Sequence, residues 1–209
     1  MPVIAVAGNK GGAGKTTLTV NLAAMLSSRQ TVMILDADPQ QSSMQWREIA
    51  DSQVNLAVSD ASADLSSLAK AYRDSHEFVF IDCPPSVHAP QLPEALVLAD
   101  LVLIPVQPSP LDIWATVHIE EAVDNARQVN PGLQALMVIN QLEPRTKLSQ
   151  IMHRAMAELS VPTADTTVRR RAIYRNSFLD GRTAADMGKT AQAAKDELAD
   201  LIKEMEQYL

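Results

Sequence analysis

Five apolar runs recur along the chain, and each stops at a polar or conformationally special residue. Residues 3–7 lead into Gly8, 31–35 into Asp36, 78–81 into Asp82, 101–104 into Pro105 and 135–139 into Asn140. None of the five alternates between apolar and polar positions, as expected of strands covered on both faces in a parallel sheet. Val54, Leu56 and Val58 do alternate, which predicts a more exposed strand nearer an edge. Helical spacing fills the intervals. Leu18, Leu22 and Met25 fall on one face after the first run, and Leu148, Ile151, Met152, Ala155 and Leu159 repeat at three and four. Repeated strand–helix units with polar residues at the strand C-termini predict an α/β fold. The sheet is open, doubly wound and mostly parallel, flanked by helices, with its chemistry gathered at the carboxyl edge.

Composition narrows the picture. At 209 residues the chain reads as one domain, 1–209, large enough to bury a core on both sides of a sheet. No apolar run approaches the 18 or so residues of a membrane span. The first run opens at residue 3, so neither a signal peptide nor an N-terminal DNA-binding domain is expected. Cys83 is the only cysteine, which excludes an internal disulfide and suits a reducing cytoplasm. The net charge of −7 argues against nucleic acid as a general partner, so such a site has to be a local patch.

The first run ends in Gly8-Asn9-Lys10-Gly11-Gly12-Ala13-Gly14-Lys15-Thr16-Thr17. Strand, glycine-rich turn and helix are the context of a phosphate-binding loop. Glycines at 11, 12 and 14 let backbone N–H groups close on phosphate oxygens, at a helix N-terminus whose positive end favours anions. Lys15 is placed for the β- and γ-phosphates, and the Thr16 hydroxyl for Mg²⁺. The usual pattern G-x-x-x-x-G-K-[ST] is broken by Asn9, and a second lysine, Lys10, stands ahead of the glycines.

K-G-G-x-G-K-[ST] resembles the deviant Walker A motif of the ParA/MinD ATPases, most closely the short, plasmid-type ParA proteins. The resemblance spans nearly the whole chain and implies a P-loop NTPase fold with ATP and Mg²⁺ as cofactors. It further implies nucleotide contacts from Lys10, Gly11, Gly12, Ala13, Gly14, Lys15, Thr16 and Thr17. In that family the first lysine reaches the partner's nucleotide across a two-fold interface, so Lys10 implies a homodimer assembled by ATP. Asp82 resembles the Walker B aspartate and would share the metal with Thr16. D-x-D-P-Q at 36–40 resembles the second acidic motif, which gives Asp38 the water-orienting role and leaves Asp36 a structural one. With Lys10 and Lys15, Asp38 completes the expected catalytic set, for a reaction that needs charge neutralisation and an in-line water. Slow turnover is expected.

Asn140 is placed where a side-chain amide could meet the adenine base; for Arg145, in the loop that follows, a base contact and a surface turn both stand. The run 105–112 is similar to the proline-containing loop that in short ParA proteins lies against the nucleotide and the dimer interface. Residues 166–182 hold five arginines (169, 170, 171, 175, 182) and one acid, Asp180, in a chain that is acidic overall. Arginine suits bidentate phosphate contacts. The segment also matches the ParA pattern around Thr167, Arg171, Tyr174, Ser177 and Gly181. Arg169, Arg170, Arg171 and Arg175 are therefore implied to bind double-stranded DNA without sequence preference. MinD binds membrane through a basic C-terminal helix. Here the last helix carries five acids against two lysines between 195 and 209, so no membrane partner is expected.

The leading expectation is a cytoplasmic, nucleoid-associated ATPase that positions a plasmid, a chromosome or a protein assembly such as a carboxysome. A ParB-like or other small adaptor would stimulate its hydrolysis. The alternatives are a metabolic P-loop enzyme that activates a small substrate with ATP, in the manner of a synthetase, and a nucleotide-gated binding module.

Overall fold

A computed structural model describes residues 1–52, 54–143, 146–156 and 158–209, with the backbone alone for 147–150 and 153. Seven strands form one sheet: β1 (Val3–Val6), β2 (Val32–Asp36), β3 (Ala57–Asp60), β4 (Phe78–Asp82), β5 (Leu101–Val106), β6 (Gln134–Leu142) and β7 (Val168–Arg169). Their order is β3-β2-β4-β1-β5-β6-β7, and every pairing is parallel. The helices are α1 (Lys15–Ser27), α2 (Ser42–Ile49), α3 (Leu65–Arg73), α4 (Gln91–Leu98), α5 (Pro110–Arg127), α6 (Lys147–Met156), α7 (Ala172–Leu179) and α8 (Gln192–Glu206).

The sheet explains why the runs do not alternate. Val3 and Ala5 of β1 face the layer made by α3, α4, α5 and α6, while Ile4 and Val6 face the one made by α1, α2, α7 and α8. Both sets are fully buried. Register then aligns the strand ends: Asp36 lies level with Asp60 on one side and Asp82 on the other, and Asp82 level with Val6. The loop that follows β1 therefore opens beside a row of carboxylates.

The structure corrects three details of the pattern. The edge strand β3 starts at Ala57. Val54 and Leu56 are buried ahead of it, so their alternation reflects a packed approach and not sheet pairing. Strand β7, on the opposite edge, has two residues and leaves no periodic trace. On α6, Met152 and Met156 are buried whereas Ile151 is exposed, which rotates the core-facing stripe by one position. The apolar stripe of α8 goes into the core, with Leu198 and Leu201 fully buried and Met205 nearly so. Among the described residues no helix is long and apolar enough to cross a membrane.

Candidate functional site

Between β1 and α1 the backbone turns through Gly12 at φ +80° and Gly14 at φ +89°. Gly14 is the N-cap of α1, and a Cβ there would lie 2.5 Å from Asn140 Nδ2, so glycine is required twice over. Asn140, at the end of β6, donates from Nδ2 to the Ala13 carbonyl at 2.7 Å and accepts from the Gln141 N–H at 2.9 Å. The amide expected at a nucleobase is thus engaged with the loop itself. Two more carboxamides meet the loop from outside: Gln107 Nε2 at 2.6 Å and Gln141 Nε2 at 2.8 Å, both donating to the Gly12 carbonyl. Among the described residues, no backbone N–H from Gly11 to Thr17 has an acceptor within the chain.

The two lysines differ in setting. Lys15 is 6% exposed and donates from Nζ to the Lys10 carbonyl at 2.9 Å. Burial lowers its pKa, opposed by the nearby Asp82, Cys83 and Asp38. Lys10 points the other way, its Nζ 3.1 Å from Asp112 Oδ1 at the start of α5.

Asp82 is 1% exposed and accepts from Ser43 Oγ at 2.6 Å, while its Oδ1 has no hydrogen-bond partner. Burial pushes its pKa up to about 7, against the Ser43 and Thr16 hydroxyls, which lower it. An orphaned carboxylate oxygen beside the Thr16 hydroxyl is a hard-oxygen pair of the kind Mg²⁺ takes. Among the described residues no three His, Cys, Asp or Glu side chains gather to hold a metal alone. A bound phosphate would have to complete the shell. Asp36 is fully buried and accepts from the Met44 and Asp38 N–H groups, an anchor for the start of α2. Asp38 accepts from the Gln40 N–H at Oδ1, and its Oδ2 has no hydrogen bond among the described residues.

A cleft of about 890 Å³ opens from Gly14, Thr16 and Thr17 and runs between α2 and α7, past Trp46, Tyr174 and Phe178. Arg169, Arg170, Arg171 and Arg175 all line it. Arg171 makes a paired contact with Glu197, at 3.1 and 2.5 Å, and Arg169 lies 3.5 Å from the same carboxylate. Arg170 sits on Glu143 at 2.8 Å. Arg175 has no ion pair among the described residues. Arg145 lies outside the described residues. The structure therefore brings the loop, Asp36, Asp38, Asp82 and Asn140 to one edge and the arginines to the adjoining cleft.

Ser43, Gln107, Gln141, Asp112 and Glu197 escaped the sequence reading. Ser43 follows the D-x-D-P-Q stretch closely enough to have been a candidate. Gln107 and Asp112 lie inside the proline-containing loop, but nothing in their spacing singles them out. Glu197 sits on a helix 26 residues beyond Arg171, where no local pattern connects them.

Residues 4–205 match the family described as the CobQ/CobB/MinD/ParA nucleotide binding domain. The maintenance of carboxysome distribution protein A of Halothiobacillus neapolitanus is 39% identical over 206 residues, covering 97% of this chain and 95% of that protein. Among solved structures, a plasmid partition protein of Borrelia burgdorferi bound to AMPPNP superposes with a TM-score of 0.73 at 18% identity, covering 97% of this chain and 99% of that one. A cobyrinic acid a,c-diamide synthase of Mycobacterium smegmatis with an ATP analogue and magnesium gives 0.75 at 20% identity, covering 98% and 95%. At such identities the two structures establish the shared fold.

Proposed function

The chain belongs to the CobQ/CobB/MinD/ParA nucleotide-binding family, and from that premise we propose that it is a ParA-type ATPase that distributes a cargo over the nucleoid. The cargo we propose is the carboxysome, because the resemblance to a carboxysome distribution protein runs through nearly the full length of both chains. ATP assembles a dimer that binds DNA without sequence preference, and a small ParB-like adaptor stimulates hydrolysis and release.

The observation that carries this reading is the contrast between two lysines of one loop. Lys15 is buried in the cradle and Lys10 is turned outward onto Asp112. A lysine serving only its own protomer's nucleotide has no reason to lie outside the cradle, whereas one that acts on a partner's nucleotide has to.

The chain's own groups then divide the work. The free N–H groups of Gly11 to Thr17 and the ammonium of Lys15 take the triphosphate. Asp82 Oδ1 and the Thr16 hydroxyl would hold Mg²⁺, which when bound would supply charge neutralisation for the phosphates. Asp38 presents its unbonded Oδ2 to the attacking water and orients it in line with the γ-phosphorus. Lys10, released from Asp112, brings a second cation to the transferring phosphoryl group of the partner. It would act as an arginine finger does, a device worth about 10³–10⁵ in rate in GTPases.

Light scattering with and without ATP tests the proposal. The parent protein doubles in mass on ATP, Lys10→Ala stays monomeric with nucleotide bound, and cells carrying Lys10→Ala have clustered carboxysomes. A Lys10→Ala protein that dimerises like the parent overturns it.

A further inference from the structure

The phosphate loop is gripped by side chains from two other segments of the chain. Gln107 follows β5, and Asn140 and Gln141 end β6; none belongs to the loop or to α1. Yet all three direct a carboxamide N–H at the same short stretch of backbone, two at the Gly12 carbonyl and one at the Ala13 carbonyl. The direction of the Asn140 amide is fixed by its two neighbours, since its oxygen accepts from the Gln141 N–H while its nitrogen faces a carbonyl.

A trans peptide unit is planar, with C=O and N–H pointing in opposite directions. The chain has no cis peptide bond among its described residues. Drawing the Gly12 carbonyl toward Gln107 and Gln141 therefore turns the Ala13 N–H away from them. Drawing the Ala13 carbonyl toward Asn140 does the same to the Gly14 N–H. Neither N–H has an acceptor in the chain. Gly12 and Gly14 hold positive φ, where the peptide planes on either side could otherwise rotate freely. We propose that Gln107, Asn140 and Gln141 form a carboxamide clamp of positioning residues, which sets the Ala13 and Gly14 N–H groups for the phosphate before it arrives.

The clamp rests on the reading of this loop as a nucleoside triphosphate site. It accounts for three features that the reading alone does not. Asn140 is buried beside Gly14, so close that a Cβ on that glycine would collide with it. Gln141 holds φ +59°, an uncommon conformation for a residue other than glycine, asparagine or aspartate, and its side chain thereby reaches Gly12. One carbonyl receives two amides, so the loss of either leaves it partly held. Preorganised N–H donors need no reorientation when the anion binds, so the benefit is read in affinity for phosphate and not for the nucleoside.

The test compares Mg²⁺-ATP with inorganic tripolyphosphate by calorimetry, in the parent protein and in Gln107→Leu, Gln141→Asn and the double variant. Asparagine suits the left-handed backbone at 141 but is one methylene too short to reach Gly12. Either single change is expected to weaken both ligands by about twofold to threefold, because the other amide remains, and the pair together by roughly tenfold or more. Melting of the ligand-free protein should be unchanged within about 2 °C, since both glutamines lie at the surface. Equal loss for ATP and tripolyphosphate supports the clamp. Loss for ATP with tripolyphosphate unaffected would place these residues at the nucleoside and overturn it, as would no loss for either ligand. A parent protein that binds neither ligand rejects the triphosphate site itself, a result distinct from both.

Discussion

The phosphate loop keeps its donors for something outside the chain, whereas the arginine segment spends most of its charge inside it. Around the loop, carbonyls are taken up by carboxamides while the N–H groups from Gly11 to Thr17 are left without acceptors. In the segment 166–182, Arg169 and Arg171 share Glu197, Arg170 lies on Glu143 and Arg182 on Asp51. Arg175 alone of the five has no ion pair among the described residues. A run of like charges counts what a segment carries, and only the fold tells how much of it is available. For the loop, backbone geometry is what matters, and glycine placement dictates it locally.

The sharpest way to break the contrast is at Lys15. Its ammonium is buried and neighboured by Asp82 and Asp38, so removing it should cost roughly a hundredfold or more in ATP affinity. Lys10→Ala should leave monomeric ATP affinity within about threefold, because its ammonium lies outside the cradle on Asp112. Titration with a fluorescent ATP analogue checks both. Equal losses would mean that the two lysines serve one protomer.

The arginine segment has its own structural weak point in Gly181. Helix α7 ends in a Schellman motif, with the Gly181 N–H on Phe178 and the Arg182 N–H on Ser177. Gly181 has φ +61°, and a Cβ there would sit 2.0 Å from the Ile49 carbonyl at the end of α2. Gly181→Ala should therefore lose about 2 kcal/mol or more, lowering the melting temperature by roughly 4–8 °C. ATP binding at physiological temperature should survive, since the loop is built on β1 and α1. Calorimetry of the variant with and without ATP separates the two effects.

Much of this was legible in the sequence for physical reasons. Unbroken apolar runs encode strands buried on both faces, and all five fell on strands. The glycines and Lys15 are set by local geometry, and each strand-end aspartate is marked by the apolar run it follows, although sheet register brings Asp36 and Asp82 together. Contacts made across the sheet were not legible. Glu197 reaches Arg171 from α8, Ser43 reaches Asp82 from α2, and Gln107 reaches Gly12 from the segment after β5. Each depends on register and layer, which no window of sequence contains. Asn140 stands out in the sequence as a strand-end amide, but the acceptor it meets is the Ala13 carbonyl of the loop.

Asp82 links charge at the loop to pH. Burial raises its pKa to about 7, so below that pH the carboxyl holds a proton that Mg²⁺ must displace. Mg²⁺-dependent ATP affinity should thus fall about fivefold from pH 7 to pH 6 and change little above pH 8. Without metal the sign is opposite for folding. The folded chain keeps a proton that the unfolded chain releases between pH 3.8 and about 7, so this group's contribution to stability declines as pH rises through that window. Asp82→Asn should abolish both dependences, as read by calorimetry and by melting across pH 5.5–8.5. A parent profile no different from that of Asp82→Asn would mean that another group governs the metal.

The smallest effect is the most discriminating between the two regions. If DNA is held by whichever arginines are free, Arg175 should count and Arg171 should not. Each phosphate contact contributes about −0.9 to the slope of log K against log salt, and a dimer presents every arginine twice. Arg175→Ala should then flatten the slope by about 2 while leaving melting and ATP-driven dimerisation alone. Arg171→Ala should leave the slope nearly unchanged and lower the melting temperature slightly, because the carboxylate of Glu197, 15% exposed, loses its paired contact. Arg170, 60% exposed on an equally open Glu143, belongs with Arg175, since a surface pair of that kind gives up little when DNA replaces the carboxylate. Binding of a random-sequence duplex across a salt series, with melting run in parallel, measures all three. Should Arg171→Ala flatten the slope as much as Arg175→Ala, the Glu197 pair opens on DNA. The segment's charge would then be held in reserve, as the loop's donors are, and the contrast between the two regions would be lost.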